Sequence, residues 1–171
     1  MPPLLRSARL LAAIAALMGA PLPPGVSAEA FGRWQQRPAS CVVEQGLAPR
    51  LRCHALQLDQ RSPQVLRLSV QAEGPERGEV VQLTLVGSLA EGSAPMGCRN
   101  GACSLKQPLE LSLISLSLVR FNGRGLAQSV PSTWSVRGSC QIDRTALRCE
   151  AVNSDLAEAG APPWTIEAEL R

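Results

Sequence analysis

The sequence predicts an all-β chain folded as a single-domain antiparallel β-sandwich, with a small closed β-barrel as the alternative and disulfides clipping its hairpins. Three observations predict it. Apolar residues recur at every second position along most of the chain, Gly, Pro and Asn turn signals separate those runs, and six cysteines follow an export signal. Helical signals are confined to one candidate turn, Asp155 to Glu158, stopped by Gly160 and Pro162.

Met1 to Ala28 reads as a secretory signal peptide. Arg6 and Arg9 form a positive start, and Leu10 to Ala20 is an apolar run of 11 residues, too short to span a bilayer. Pro21, Pro23 and Pro24 break it, and Val26-Ser27-Ala28 offers small residues for cleavage before Glu29. Residues 29–40 are then an N-terminal extension and 41–171 the β domain. Arg6 and Arg9 leave with the signal, so the formal charge falls from +3 to +1 and no basic footprint for nucleic acid is left. No later stretch is long and apolar enough to be a transmembrane segment. The expectation is a soluble exported protein of the bacterial periplasm or extracellular space. An outer-membrane barrel is the rival, but with no Tyr, two Phe and three Trp the chain cannot build aromatic girdles.

The first predicted hairpin joins Ser40-Cys41-Val42-Val43-Glu44 to Leu51-Arg52-Cys53-His54-Ala55. The same pattern returns as Ser139-Cys140-Gln141-Ile142-Asp143 and Leu147-Arg148-Cys149-Glu150-Ala151, a weak internal repeat. Loop-closure cost and hairpin geometry favour local bridges, Cys41–Cys53 and Cys140–Cys149, over cross-pairing between the repeats. In the second hairpin the two-residue loop would be Arg144-Thr145, poor chemistry for a primed turn.

Leu66, Leu68 and Val70 alternate with Arg67, Ser69 and Gln71, and after the turn-rich Ala72–Gly78 segment Val81, Leu83 and Leu85 alternate with Gln82 and Thr84. Next comes Cys98-Arg99-Asn100-Gly101-Ala102-Cys103. Asn-Gly is the strongest two-residue hairpin signal, because a type I′ turn needs positive φ at both central positions. Arg99 then faces Ala102, and Cys98 faces Cys103 at the close, non-hydrogen-bonded spacing that permits a disulfide. Leu109, Leu111 and Leu113 form a further strand whose phase slips by one before Leu116 and Leu118, as at a β-bulge or a change of sheet. Trp134, Val136 and Ile142 continue the pattern, and Trp164, Ile166, Ala168 and Leu170 close it.

Readable chemistry is sparse. One histidine cannot build a histidine-rich metal site, and the sequence points to no catalytic, cofactor-binding or metal-binding residues. His54 stands beside a cysteine expected to be oxidised and reads as a strand residue. Cys98-x4-Cys103 lacks the helix-start setting of a redox dithiol. Glu167 and Glu169 are the solvent face of an amphipathic strand. If Cys98 and Cys103 are bridged, Arg99 and Asn100 form a rigid exposed contact tip of the kind some protease inhibitors present. The Leu105–Val119 run would line a lipid cavity or, more simply, a core face. The reading that follows is a non-catalytic binding or structural module whose partner is a protein or another envelope component. A hydrolase without a readable motif and a lipid carrier are the alternatives.

Overall fold

The computed structural model describes residues 31–46, 48–156, 160 and 162–171, so the signal peptide read over 1–28 lies outside the described residues. Eleven strands form: β1 (Gly32–Gln36), β2 (Ser40–Gln45), β3 (Leu51–Gln60), β4 (Val65–Glu73), β5 (Val80–Leu89), β6 (Gly97–Arg99), β7 (Ala102–Ser104), β8 (Leu109–Phe121), β9 (Ser132–Ile142), β10 (Ala146–Asn153) and β11 (Trp164–Glu169). The described residues contain no helix. At the candidate helical turn, the Asn153 side chain accepts the Asp155 amide at 2.9 Å in a plain turn, and residues 157–159 lie outside the described residues.

Of the two all-β architectures, the closed barrel forms and the sandwich does not. Strands β2, β3, β4, β5, β8, β9, β10 and β11 make an antiparallel up-and-down meander, closed because β2 pairs with both β3 and β11. Closure removes two sheet edges that a sandwich would have to leave or cover. The seam is narrow on one side. Only Val42–Arg52 and Val43–Leu51 pair across β2–β3, and the Cys41–Cys53 disulfide is fastened beside them. Beyond it β3 shifts register between Cys53 and Ala55.

Residues 29–40, read as an extension ahead of the domain, contain β1. It covers the remaining edge of β3, Leu56 to Gln60, while β2 turns away to β11. Pro38 lies in the gap between β1 and β2, where a missing amide costs no ladder bond. The outer edge of β1 receives the β6–β7 hairpin through the parallel Arg33–Ala102 bridge. In that hairpin Asn100 and Gly101 have φ of 51° and 79°, so the type I′ turn forms as its residues dictate. Cys98 and Cys103 are directly opposite and bonded, with Cα atoms 4.0 Å apart. The third bridge is Cys140–Cys149, so all three disulfides are local.

Leu66, Leu68, Leu83, Leu85, Leu116 and Leu147 are among the fully buried side chains that fill the barrel, as expected for eight strands. The β5–β8 excursion crosses one end: the Met96 amide donates to Gln60 Oε1 at 2.8 Å, and Arg144 Nε on the far side donates to the Leu105 carbonyl at 3.4 Å. Trp134 and Trp164, with ring centroids 6.1 Å apart, pack against the core from β9 and β11. The phase slip in β8 is a bulge within one continuous strand, between Ser112 and Ser115, and it turns Ile114 outward. Leucines of the Leu105–Val119 run point into this packed core. Outward positions carry mostly Arg, Gln, Glu, Ser and Thr, the reverse of the apolar exterior of a transmembrane barrel.

The Arg144-Thr145 turn succeeds without glycine. Asp143 Oδ1 accepts the amides of Thr145 and Ala146 at 2.7 and 2.8 Å, and the Thr145 hydroxyl at 2.8 Å. An Asx turn therefore supplies the local bonds, and neither central residue needs positive φ.

Candidate binding groove on the outer sheet face

The period-2 alternation that sends Leu56, Leu58, Leu66, Leu68, Leu83 and Leu85 inward sends their neighbours to the outer face of β1, β3, β4 and β5. Register then sorts those neighbours into rows. Arg33, Asp59, Arg67 and Val86 form one row, and Gln35, Gln57, Ser69 and Thr84 the next. Ala55, Gln71 and Gln82 form a third. Short side chains (Ala55 and Ser69) thus lie between long ones (Arg33, Gln35, Gln57, Arg67, Gln71 and Gln82). The result is a groove with a cavity volume of about 410 Å³, open to solvent, with Arg37 and Arg61 also in its lining. Ser69 and Thr84, although outward, are only 8% and 7% exposed because their neighbours overhang them.

Hydrogen bonds organise one side of the groove. Arg33 Nε donates to Asp59 Oδ1 at 2.8 Å, and Gln57 Nε2 donates to Asp59 Oδ2 at 2.9 Å. Gln35 Nε2 in turn donates to Gln57 Oε1 at 2.7 Å. Burial opposes ionisation of Asp59, but the bonds from Arg33 and Gln57 and the charges of Arg33 and Arg61 outweigh it and hold its pKa below the usual carboxylate value. Asp143 is lowered too, chiefly by the Thr145 amide.

These two carboxylates give stability an acid limit. Each has a folded pKa below its unfolded value of about 3.9, so its contribution is present above that pH and is lost as pH falls through the folded pKa. The thermal midpoint is expected to be level from about pH 7 to 5 and to fall below about pH 4. Asp59→Asn should lower the midpoint at neutral pH by roughly 3 °C or more and flatten that acid limb. A wild-type midpoint unchanged down to about pH 2.5 would contradict the assignment.

The residues singled out from sequence lie elsewhere. Arg99 and Asn100 are exposed at the β6–β7 tip, and the Gly101 carbonyl beside them accepts the Arg33 amide at 2.9 Å, which brings the turn to the β1 edge of the groove. Cys41, Cys53, Cys98, Cys103, Cys140 and Cys149 are all consumed in disulfides. His54 is exposed on β3 and borders a second surface cavity with Glu73, Glu76, Arg77 and Glu79. There Glu79, 5% exposed, accepts the Glu76 amide at 3.1 Å and faces Arg120 at 3.6 Å, which ties the β4–β5 loop to β8. Neither cavity is lined by the Leu105–Val119 run. The groove residues were visible in sequence only as the polar half of amphipathic strands. Ser69, a short residue between Arg67 and Gln71 on one strand face, is the one sign of a depression that the sequence carries.

No protein family matches the chain, and neither curated proteins nor solved structures give a significant match.

Proposed function

We propose that this chain is an exported, non-catalytic binding module of the cell envelope or extracellular space, and that the groove over β1, β3, β4 and β5 is its ligand site. The observation that carries the reading is the groove's construction. A cavity of about 410 Å³, within the size range of small-molecule sites, is lined by hydrogen-bonding side chains most of which are mounted on strands, and Arg33, Gln35, Gln57 and Asp59 among them are fixed by bonds to one another. Its side chains offer donors and acceptors suited to recognition, and its one carboxylate, Asp59, is already engaged by Arg33 and Gln57. Three disulfides accord with an oxidising compartment, and no helix among the described residues is long and apolar enough to cross a membrane.

Filling the floor tests this. Ser69→Trp places a large ring on the outer face and leaves the barrel interior untouched. Ligand-observed NMR against neutral saccharides, free amino acids and small carboxylates should find saturable binding by the wild type, weakened at least about tenfold in the variant. Binding that survives Ser69→Trp unchanged would place the site elsewhere. Turnover of an ester or glycoside panel would replace the binding reading with an enzymatic one.

A further inference from the structure

We propose that the groove recognises an oxyanion, the carboxylate or phosphate group of a small polar ligand, with Arg67 as its partly buried anchor; this rests on the groove being the ligand site. The charge count comes first. Arg33, Arg37, Arg61 and Arg67 line the groove against Asp59 alone, an excess of three positive charges on a chain with little net charge. Asp59 does not neutralise Arg67. Its two oxygens already accept from Arg33 and Gln57, and although Arg67 stands directly opposite it across the β3–β4 ladder, no ion pair forms between them.

Arg67 is left with a donor and nothing to receive it. Among the described residues its Nε is the one buried side-chain nitrogen or oxygen without a hydrogen-bond partner. A buried donor without a partner is unfavourable, and Arg67 itself lines the groove, so a turn of its side chain toward the groove would bring Nε to an acceptor supplied from outside the chain. A guanidinium presents its donors in a planar fork, which matches the paired oxygens of a carboxylate or phosphate. Gln57, Gln71, Gln82 and Ser69 then offer neutral partners to the rest of the ligand. None of the lining residues is aromatic, so a neutral sugar ring or a base finds no stacking surface, and recognition falls to charge and hydrogen bonds.

The experiment is a backbone-amide NMR titration of the oxidised, full-length mature protein. Glucuronate supplies a carboxylate, inorganic phosphate the other oxyanion, and glucose is the neutral counterpart of glucuronate. At least one anion should shift amides of β1, β3 and β4 saturably, glucose should not, and added salt should weaken the effect. Arg67→Gln should weaken binding at least about tenfold, since it removes a charge-assisted pair. Arg67→Lys keeps the charge but not the fork and should rescue only part of the affinity. Arg99→Gln, at the hairpin tip, should bind like wild type. If Arg67→Gln does not fold, Arg61→Gln at the rim should still weaken binding about two- to threefold. Groove shifts with glucose as large as with glucuronate, untouched by Arg67→Gln, would overturn the oxyanion inference and leave the groove as a ligand site. No groove shifts with either anion at tens of millimolar would overturn the inference too. If Ser69→Trp then also has no effect on any ligand found, the site reading falls with it.

Discussion

Cys41→Ala/Cys53→Ala is expected to destabilise the protein by about 3–5 kcal/mol and to open the barrel along one seam. The covalent closure of a short loop contributes about 3 kcal/mol through the unfolded chain. The remainder comes from where this bridge sits. Both cysteines are buried, and across β2–β3 only Val42–Arg52 and Val43–Leu51 continue the ladder that closes the cylinder. Beyond them β3 pairs with β1, and β2 pairs with β11 alone. Without the bridge, two residue pairs hold the seam between a strand bound to one neighbour and a strand bound to another. Amide exchange should therefore accelerate first in β2 and in Leu51 to Ala55. The matched control is Cys98→Ala/Cys103→Ala, which removes a clip from a peripheral hairpin whose Asn-Gly turn is already preorganised. Its cost should be smaller, about 2 kcal/mol. Equal denaturation midpoints for the two double variants would show that the seam does not depend on its disulfide.

Gly138→Ala is expected to cost about 3 kcal/mol or more, a large effect for one methyl group at a solvent-exposed position. An added Cβ would lie 1.9 Å from the Glu150 carbonyl oxygen and 2.9 Å from Ala151 Cα. Both atoms are backbone of β10, which is fixed between β9 and β11, so no side-chain rotation relieves the overlap. Gly138 also has φ of 155°, a conformation that side-chain-bearing residues rarely adopt. Relief requires β9 and β10 to separate where Gly138 faces Ala151, two positions from the Cys140–Cys149 bridge. Ser139→Ala, one position away on the same exposed stretch, should stay within about 0.5 kcal/mol of wild type. Urea denaturation of the three proteins checks the expectation. A Gly138→Ala midpoint equal to that of Ser139→Ala would mean the strands can part at little cost.

Strand positions, the Asn100-Gly101 turn and the Cys98–Cys103 bridge were legible because each depends on residues near in sequence. Positive φ at two adjacent positions is a local demand, and the register it sets carries the two cysteines into contact. The Arg144-Thr145 turn was harder to read, since its solution came from Asp143, a side chain outside the loop proper. β1 was missed because Gly32 to Gln36 carries only Trp34 as an inward apolar anchor and looks like a polar tail. Its strand character comes from β3, whose edge it completes.

The groove shows the same division. Asp59 and Arg67 are close in sequence, but Arg33 lies 26 residues before Asp59, and nothing local says that it joins their row. Nor does the sequence show that Asp59 is occupied by Arg33 and Gln57 while Arg67 is left without a partner. Those are consequences of register between strands, set by how the core packs.

By itself, then, the sequence determined an all-β chain and the faces of most of its strands, placed the Cys98–Cys103 bridge, and favoured local pairing for the other four cysteines, which the structure shows. Alternation, turn chemistry and short-range pairing are properties of ten residues at a time. Barrel against sandwich was decided only in three dimensions, because both present the same alternation to a core. The choice turned on whether β2 reached back from β11 to β3. That contact closes the cylinder and leaves β1 on the outer β3 edge, where it becomes one wall of the groove.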